Sequence, residues 1–147
     1  MADDIDADTS EMDALARDLS ALADIIPRKV RQAVQQTAIK GKDFWQADAS
    51  VKASRSTAGY PGSIDYELKG SVIGGGTVEG EVGPNLSRGG KTGKGGLQPS
   101  LGILEEAPGG VRAAPRQSIR RAYTFIEEEL DKGVDIAIKQ SEEARGL

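Results

Sequence analysis

The sequence contains neither histidine nor cysteine. Imidazole and thiolate nucleophiles, histidine general bases, the usual zinc sites and disulfides are therefore all excluded. Aromatic residues are scarce, with one tryptophan, three tyrosines and two phenylalanines in 147 residues. Long apolar runs are missing too. No stretch approaches the ~18 residues of a membrane span, and positions 1–10 hold neither the basic nor the apolar region of a secretory leader. The expectation is a chain made and kept in the cytoplasm, with no membrane contact.

What is present bounds the fold. The length suits a single domain over 1–147. Of 55 apolar residues 18 are alanine, which leaves 37 side chains larger than a methyl group for a core. Such a core is small, and contact with other subunits is expected to supplement it. The net charge of −4 is segregated along the chain: −7 over 1–24, +5 over 25–55, −3 over 56–87, +5 over 88–123 and −4 over 124–147. Alternating blocks suit head-to-tail contact between copies, although they can also cancel within one subunit.

Local patterns predict an α+β fold. After a flexible acidic segment over 1–9, Thr9 or Ser10 can cap a helix whose apolar residues Met12, Leu15, Leu19 and Leu22 form one stripe. Pro27 disfavours helical geometry at Ile26, so a break and a second, long helix over 27–53 are expected. Period-two alternation in Ile64, Tyr66 and Leu68, then in Val78 and Val82, predicts a β-hairpin turned at Gly74 to Gly76. The segment 84–100 reads as a flexible basic glycine-rich loop carrying Arg88, Lys91 and Lys94. A third strand is expected at Leu101 to Glu106. A C-terminal amphipathic helix follows from near Pro115, marked by Ile119, Tyr123, Ile126, Leu130 and Val134, with a frayed tail over 140–147.

Few motifs suggest chemistry. The glycine clusters lack the spacing and strand-to-helix setting of a phosphate loop, and the acid pairs, Glu105 with Glu106 and those within Glu127 to Glu129, read as solvated or interfacial. Trp45 beside Phe44 reads as packing rather than a base-stacking platform, and Tyr60 as a loop anchor. Arg112, Arg116, Arg120 and Arg121 lie at or before a helix N-terminus, where the dipole disfavours positive charge. Their compensation could come from Glu105 and Glu106, from the acidic 1–24 segment of a neighbour, or from nucleic-acid phosphates.

Three degenerate patterns, in order, resemble the head-tail joining or tail-completion proteins that form the neck of long-tailed bacteriophages. The family's A-P-x-x-T-G-x-L-x-x-S-I segment is similar to Ala53-Ser54, Thr57, Tyr60 and Ser63-Ile64, with Ser54 for proline, Gly59 displaced from its usual place after the threonine, and Tyr60 for leucine. A short strand ending in an acid resembles Ile103-Leu104-Glu105. A P-R-P-F-L-x-P-A-like lead into the last helix resembles Ala114-Pro115-Arg116, Ile119 and Ala122, with departures at Gln117, Ser118 and Arg121.

The resemblance implies N-terminal helices packed on a small antiparallel sheet, and a noncatalytic virion protein without cofactor. It implies a self-assembled ring, commonly sixfold, between the capsid connector and the tail tube, through which phage DNA passes with weak contact. Arg88, Lys91 and Lys94, or the face from Arg112 to Arg121, would dock on connector or tail protein. A tail terminator or minor tail protein is a neighbouring alternative. A small nucleic-acid-binding module is the alternative from a different class.

Overall fold

The structure, a computed structural model, describes residues 10–51, 57–71, 76–90, 97–106 and 117–146. The fold is α+β. One long helix, α1 (Ser10–Val51), is followed by a single turn, α2 (Tyr60–Ser63), and a hairpin of β1 (Ile64–Gly70) and β2 (Val78–Pro84). A short helix, α3 (Gln98–Leu104), and a second long helix, α4 (Ser118–Glu143), complete it.

The helical spine is continuous where a break was expected. Pro27 lies inside α1, which runs for 42 residues, or ~63 Å at 1.5 Å per residue. Proline removes one backbone hydrogen bond and crowds the preceding turn, a local cost of ~3 kcal/mol. It does not oblige the chain to turn. Residues 10–20 are almost wholly exposed, so no packing among the described residues rewards a change of direction at Pro27. The helix ends at Val51, and the expected end near Ala53 lies outside the described residues.

α4 packs along α1 through small residues. A Cβ built on Gly41 would come within 2.5 Å of Ile126 Cγ1, while one on Gly133 would sit 3.4 Å from Ala33 Cβ. Ala38, Ala122 and Ala137 are buried as well. The helices approach closely because these side chains are short, and Phe44 stacks on Phe125 with ring centroids 4.5 Å apart. Gly133, a poor helix former, is thus a packing position. α4 also extends further than expected: the helix reaches Glu143, and Ser141 is fully buried with its hydroxyl donating to Ala137 O at 2.7 Å. The helix begins at Ser118, and Pro115 lies outside the described residues.

The hairpin lies alongside α1. β1 and β2 pair antiparallel, with Tyr66 opposite Val82 and Leu68 opposite Gly80. A Cβ on Gly80 would meet Val34 at 3.2 Å and Ala38 at 3.6 Å, which puts this face of the sheet on the helix. Gln46 Nε2 donates to Ile64 O at 2.8 Å and Arg31 Nη1 to Gly70 O at 3.3 Å, so α1 holds both ends of β1. On the outer face Glu67 lies directly opposite Glu81. Lys69 relieves that repulsion, reaching Glu81 at 2.6 Å and Glu67 at 3.8 Å, and its own pKa is raised chiefly by the bond to Glu81.

The third expected strand is a helix. Pro99 occupies the first turn of α3, where its missing N–H is no loss, and Gly102 lies against the Tyr60 ring with no room for a side chain: a Cβ there would be 2.2 Å from Tyr60 Cγ. The short apolar run Leu101 to Leu104 is equally compatible with strand or helix by its pattern, and Pro99 decides for the helix start.

These contacts imply opposite outcomes for two helical glycines. Gly133→Ala gains helix propensity without a clash and should stabilise by ~0.5–1 kcal/mol. Gly41→Ala must displace Ile126 and should destabilise by ~1–3 kcal/mol. Urea unfolding followed by circular dichroism measures both.

Candidate functional site

The densest arrangement of buried polar groups joins α2, α3 and the start of α4. Its apolar base is Trp45, Ala49, Tyr60, Ile64 and Ala122, with Phe44 and Val82 packed against it. Trp45 and Tyr60 are therefore core residues. Trp45 Nε1 and Ser118 Oγ are buried there with no hydrogen-bond partner among the described residues.

Both acids expected at the surface are buried. Glu105 and Glu106 are 8% and 6% exposed. They follow α3 within a turn, not a strand, so both carboxylates face the body. Thr57 Oγ1 donates to Glu105 Oε2 at 3.1 Å, and Tyr60 Oη donates to Glu106 Oε1 at 2.9 Å. The other oxygen, Glu106 Oε2, accepts from the Ile119 backbone N–H at 3.2 Å. That last bond explains how α4 starts. Gln117, its N-cap, adopts a left-handed conformation at φ 54° and makes no side-chain cap. Glu106 supplies the missing acceptor from another part of the chain, with a negative charge at the positive end of the helix dipole.

The preceding segment is equally held. Gly59 N donates to Gln98 Oε1 at 2.5 Å, Ser63 N to Gly59 O at 3.2 Å, and Ser63 Oγ to Tyr60 O at 2.6 Å. Thr57, Tyr60, Ser63 and Ile64 from one stretch of sequence, with the distant Glu105 and Ala122, are all buried at this junction. Pro115 is outside the described residues.

The basic residues are distributed differently from the expectation. Arg121 is held by Asp48 of α1, its Nε 3.0 Å from Oδ1 and its Nη2 2.5 Å from Oδ2. Asp48 was not among the expected partners, and lies 73 positions away on α1. The bond to Asp48 is the main cause raising the Arg121 pKa, with a smaller contribution from the Glu106 charge. Arg120 is exposed, and Arg112 and Arg116 lie outside the described residues.

The expected basic loop over 84–100 is anchored at its described parts. Arg88 pairs with Asp65 at 3.0 Å, Asn85 N donates to Ser63 O at 2.7 Å, and Gln98 N donates to Gly90 O at 3.1 Å. Gly89 lies so close to Gly59 that a Cβ on either would clash with the other's carbonyl. Lys91 and Lys94, like residues 1–9, lie outside the described residues.

On the α1–α4 seam Lys40 reaches Glu129 at 2.6 Å and Lys132 reaches it at 3.3 Å. These bonds, that to Lys40 first, lower the Glu129 pKa below its ordinary value. Among the described residues no group of three or more acids is placed to hold a metal ion, and no helix is long and apolar enough to cross a membrane. The junction's chemistry is that of a fastening: its carboxylates accept hydrogen bonds from groups they position.

No family model matches the chain, and no curated protein or solved structure is significantly similar to it. The resemblance to phage joining proteins therefore rests on the sequence positions themselves.

Removing the hydroxyl in Tyr60→Phe should cost ~1–3 kcal/mol, since the Glu106 carboxylate stays buried with one donor fewer. Combined with Glu106→Gln, the two losses should be clearly non-additive in a double-mutant cycle of urea stabilities. Glu129 provides a pH test. A depressed carboxyl pKa stabilises the fold above the unfolded-state pKa, and that contribution is lost as pH falls through the folded-state value. Glu129→Gln should therefore differ most from the parent near neutral pH and converge with it in acid, as read from urea midpoints across that range.

Proposed function

We propose that the chain is a noncatalytic virion protein of a tailed phage, forming a ring at the head-tail junction that joins the capsid connector to the tail. The observation that carries this reading is the convergence of the resemblance positions. Thr57, Tyr60, Ser63 and Ile64 of the first pattern, Glu105 of the second and Ala122 of the third meet in one buried junction that joins sheet, α3 and α4, while Ile103, Leu104 and Ile119 stay exposed.

The rest of the molecule suits assembly. Its small private core leaves Met12, Leu15, Leu19, Tyr123 and Ile136 more than half exposed, an apolar surface that subunit contact would cover. The nucleic-acid-binding alternative is less well supported. Arg121 and Arg88 are neutralised within the subunit by Asp48 and Asp65, and the outer face of the hairpin carries Glu67, Glu79 and Glu81. Passage of DNA through a ring requires weak contact, and the net charge of −4 agrees with that.

Blocking synthesis of the protein during infection should leave filled heads and finished tails that do not join, as seen by negative-stain electron microscopy. Normal particles would refute the proposal, as would a cryo-EM map of the virion with this chain outside the neck.

A further inference from the structure

Among the described residues, nothing covers the apolar stripe of Met12, Leu15 and Leu19 on the first three turns of α1. α4 runs antiparallel to α1, with Ile126 against Gly41 and Gly133 against Ala33. Continued to Glu143, that register ends α4 at about the level of Leu22, the first buried residue of α1. Residues 10–21 therefore project beyond it as a helical arm of ~18 Å. Met12, Leu15 and Leu19 lie on one face of the arm and are 72%, 52% and 55% exposed. Glu11 and Asp18 fall beside this stripe at 100° per residue, and the segment 10–24 holds four acids against one arginine.

A receptor of matching size and opposite charge lies on the same molecule. The seam between α1 and α4 forms a groove running from Lys29 to Lys40, a length of ~17 Å. Ala33 and Gly133 form its floor, exposed Ile136 its wall, and Lys29, Lys40 and Lys132 its rim. Glu129 is the one acid among the described lining residues, and it is shared by Lys40 and Lys132. Lys29 has no carboxylate partner among the described residues.

We propose that the arm of one copy seats in the α1–α4 groove of the next, with Met12, Leu15 and Leu19 on the small-residue floor and Glu11 and Asp18 at the lysine rim. The occupant is a second copy because arm and groove lie on one continuous helix: a subunit's arm cannot reach its own groove without breaking α1. The contact is helix-in-groove and heterologous, so each subunit offers one of each surface and the contact repeats around a ring. This names the subunit contact of the proposed neck ring and rests on that reading for its closure, while the contact itself is judged on the purified chain.

The test is complementation in solution, with sedimentation velocity and light scattering as readouts. The wild-type chain should self-associate with concentration, less so at high salt. Leu15→Ser with Leu19→Ser in the arm, or Lys29→Glu with Ile136→Glu in the groove, should each weaken association at least about tenfold. All four positions are at or near the surface, and unchanged circular dichroism and melting verify the fold. An equimolar mixture of the two variants should recover a complex of two chains and no larger species, because one intact arm meets one intact groove. A wild-type chain that stays monomeric at every concentration overturns the proposal. So does a mixture that forms no complex, or a groove variant that assembles like the wild type. None of these outcomes bears on the location of the protein in the virion, which the particle map decides separately.

Discussion

With only 37 apolar side chains larger than a methyl group, the subunit cannot fill a wide space between its layers, and the close approach of α1 to α4 follows from that shortage. Gly41, Gly133, Ala33, Ala38, Ala122 and Ala137 let two long helices lie against each other with little volume to fill between them. Dispersion contacts grow as the surfaces near, so small residues on a long seam do the holding that large residues do in a thicker core. The hairpin then needs only Ile64, Tyr66, Leu68 and Val82 to cover the remaining side of α1. The same shortage accounts for the apolar residues left at the surface, because the far turns of α1 meet no second layer among the described residues.

A thin core makes polar fastening more important. The turn after α3 directs Glu105 and Glu106 inward, where one accepts from Thr57 and the other from Tyr60 and from the first turn of α4. A buried carboxylate is tolerated when donors replace the lost water, and a helix N-terminus is a favourable place for its charge. Glu106 thereby compensates the end of α4, while Arg121 is satisfied by Asp48 on α1. The two interactions bind α4 to opposite neighbours and fix its position at the junction.

The proposed function draws on what the fastening leaves free. The acidic apolar arm of α1 and the basic groove between α1 and α4 are joined by continuous helix and cannot meet within one copy. In the proposed contact, that complementarity is met by another copy. On that proposal the small core and a role in assembly share one physical cause.

Most of the helical and strand structure was legible from periodicity, since Ile64, Tyr66 and Leu68 alternate with charged residues and Ile119, Tyr123, Ile126 and Leu130 recur at helical spacing. The positions Thr57, Tyr60, Ser63, Ile64, Glu105 and Ala122 could also be singled out by pattern. What they do could not be read, because hydrogen bonds between residues some forty-eight positions apart, such as Thr57 to Glu105, leave no local signal. The same limit explains the errors. Leu101 to Leu104 is ambiguous between strand and helix until Gly102 meets the Tyr60 ring, Pro27 ends a helix only where packing favours a turn, and Glu105 and Glu106 look solvated until Thr57, Tyr60 and the α4 N-terminus surround them. Side-chain type and spacing alone thus determined the elements and their apolar faces. Their lengths, the buried acids and the Arg121–Asp48 pair were decided by tertiary structure, because each depends on groups brought close only when the chain folds.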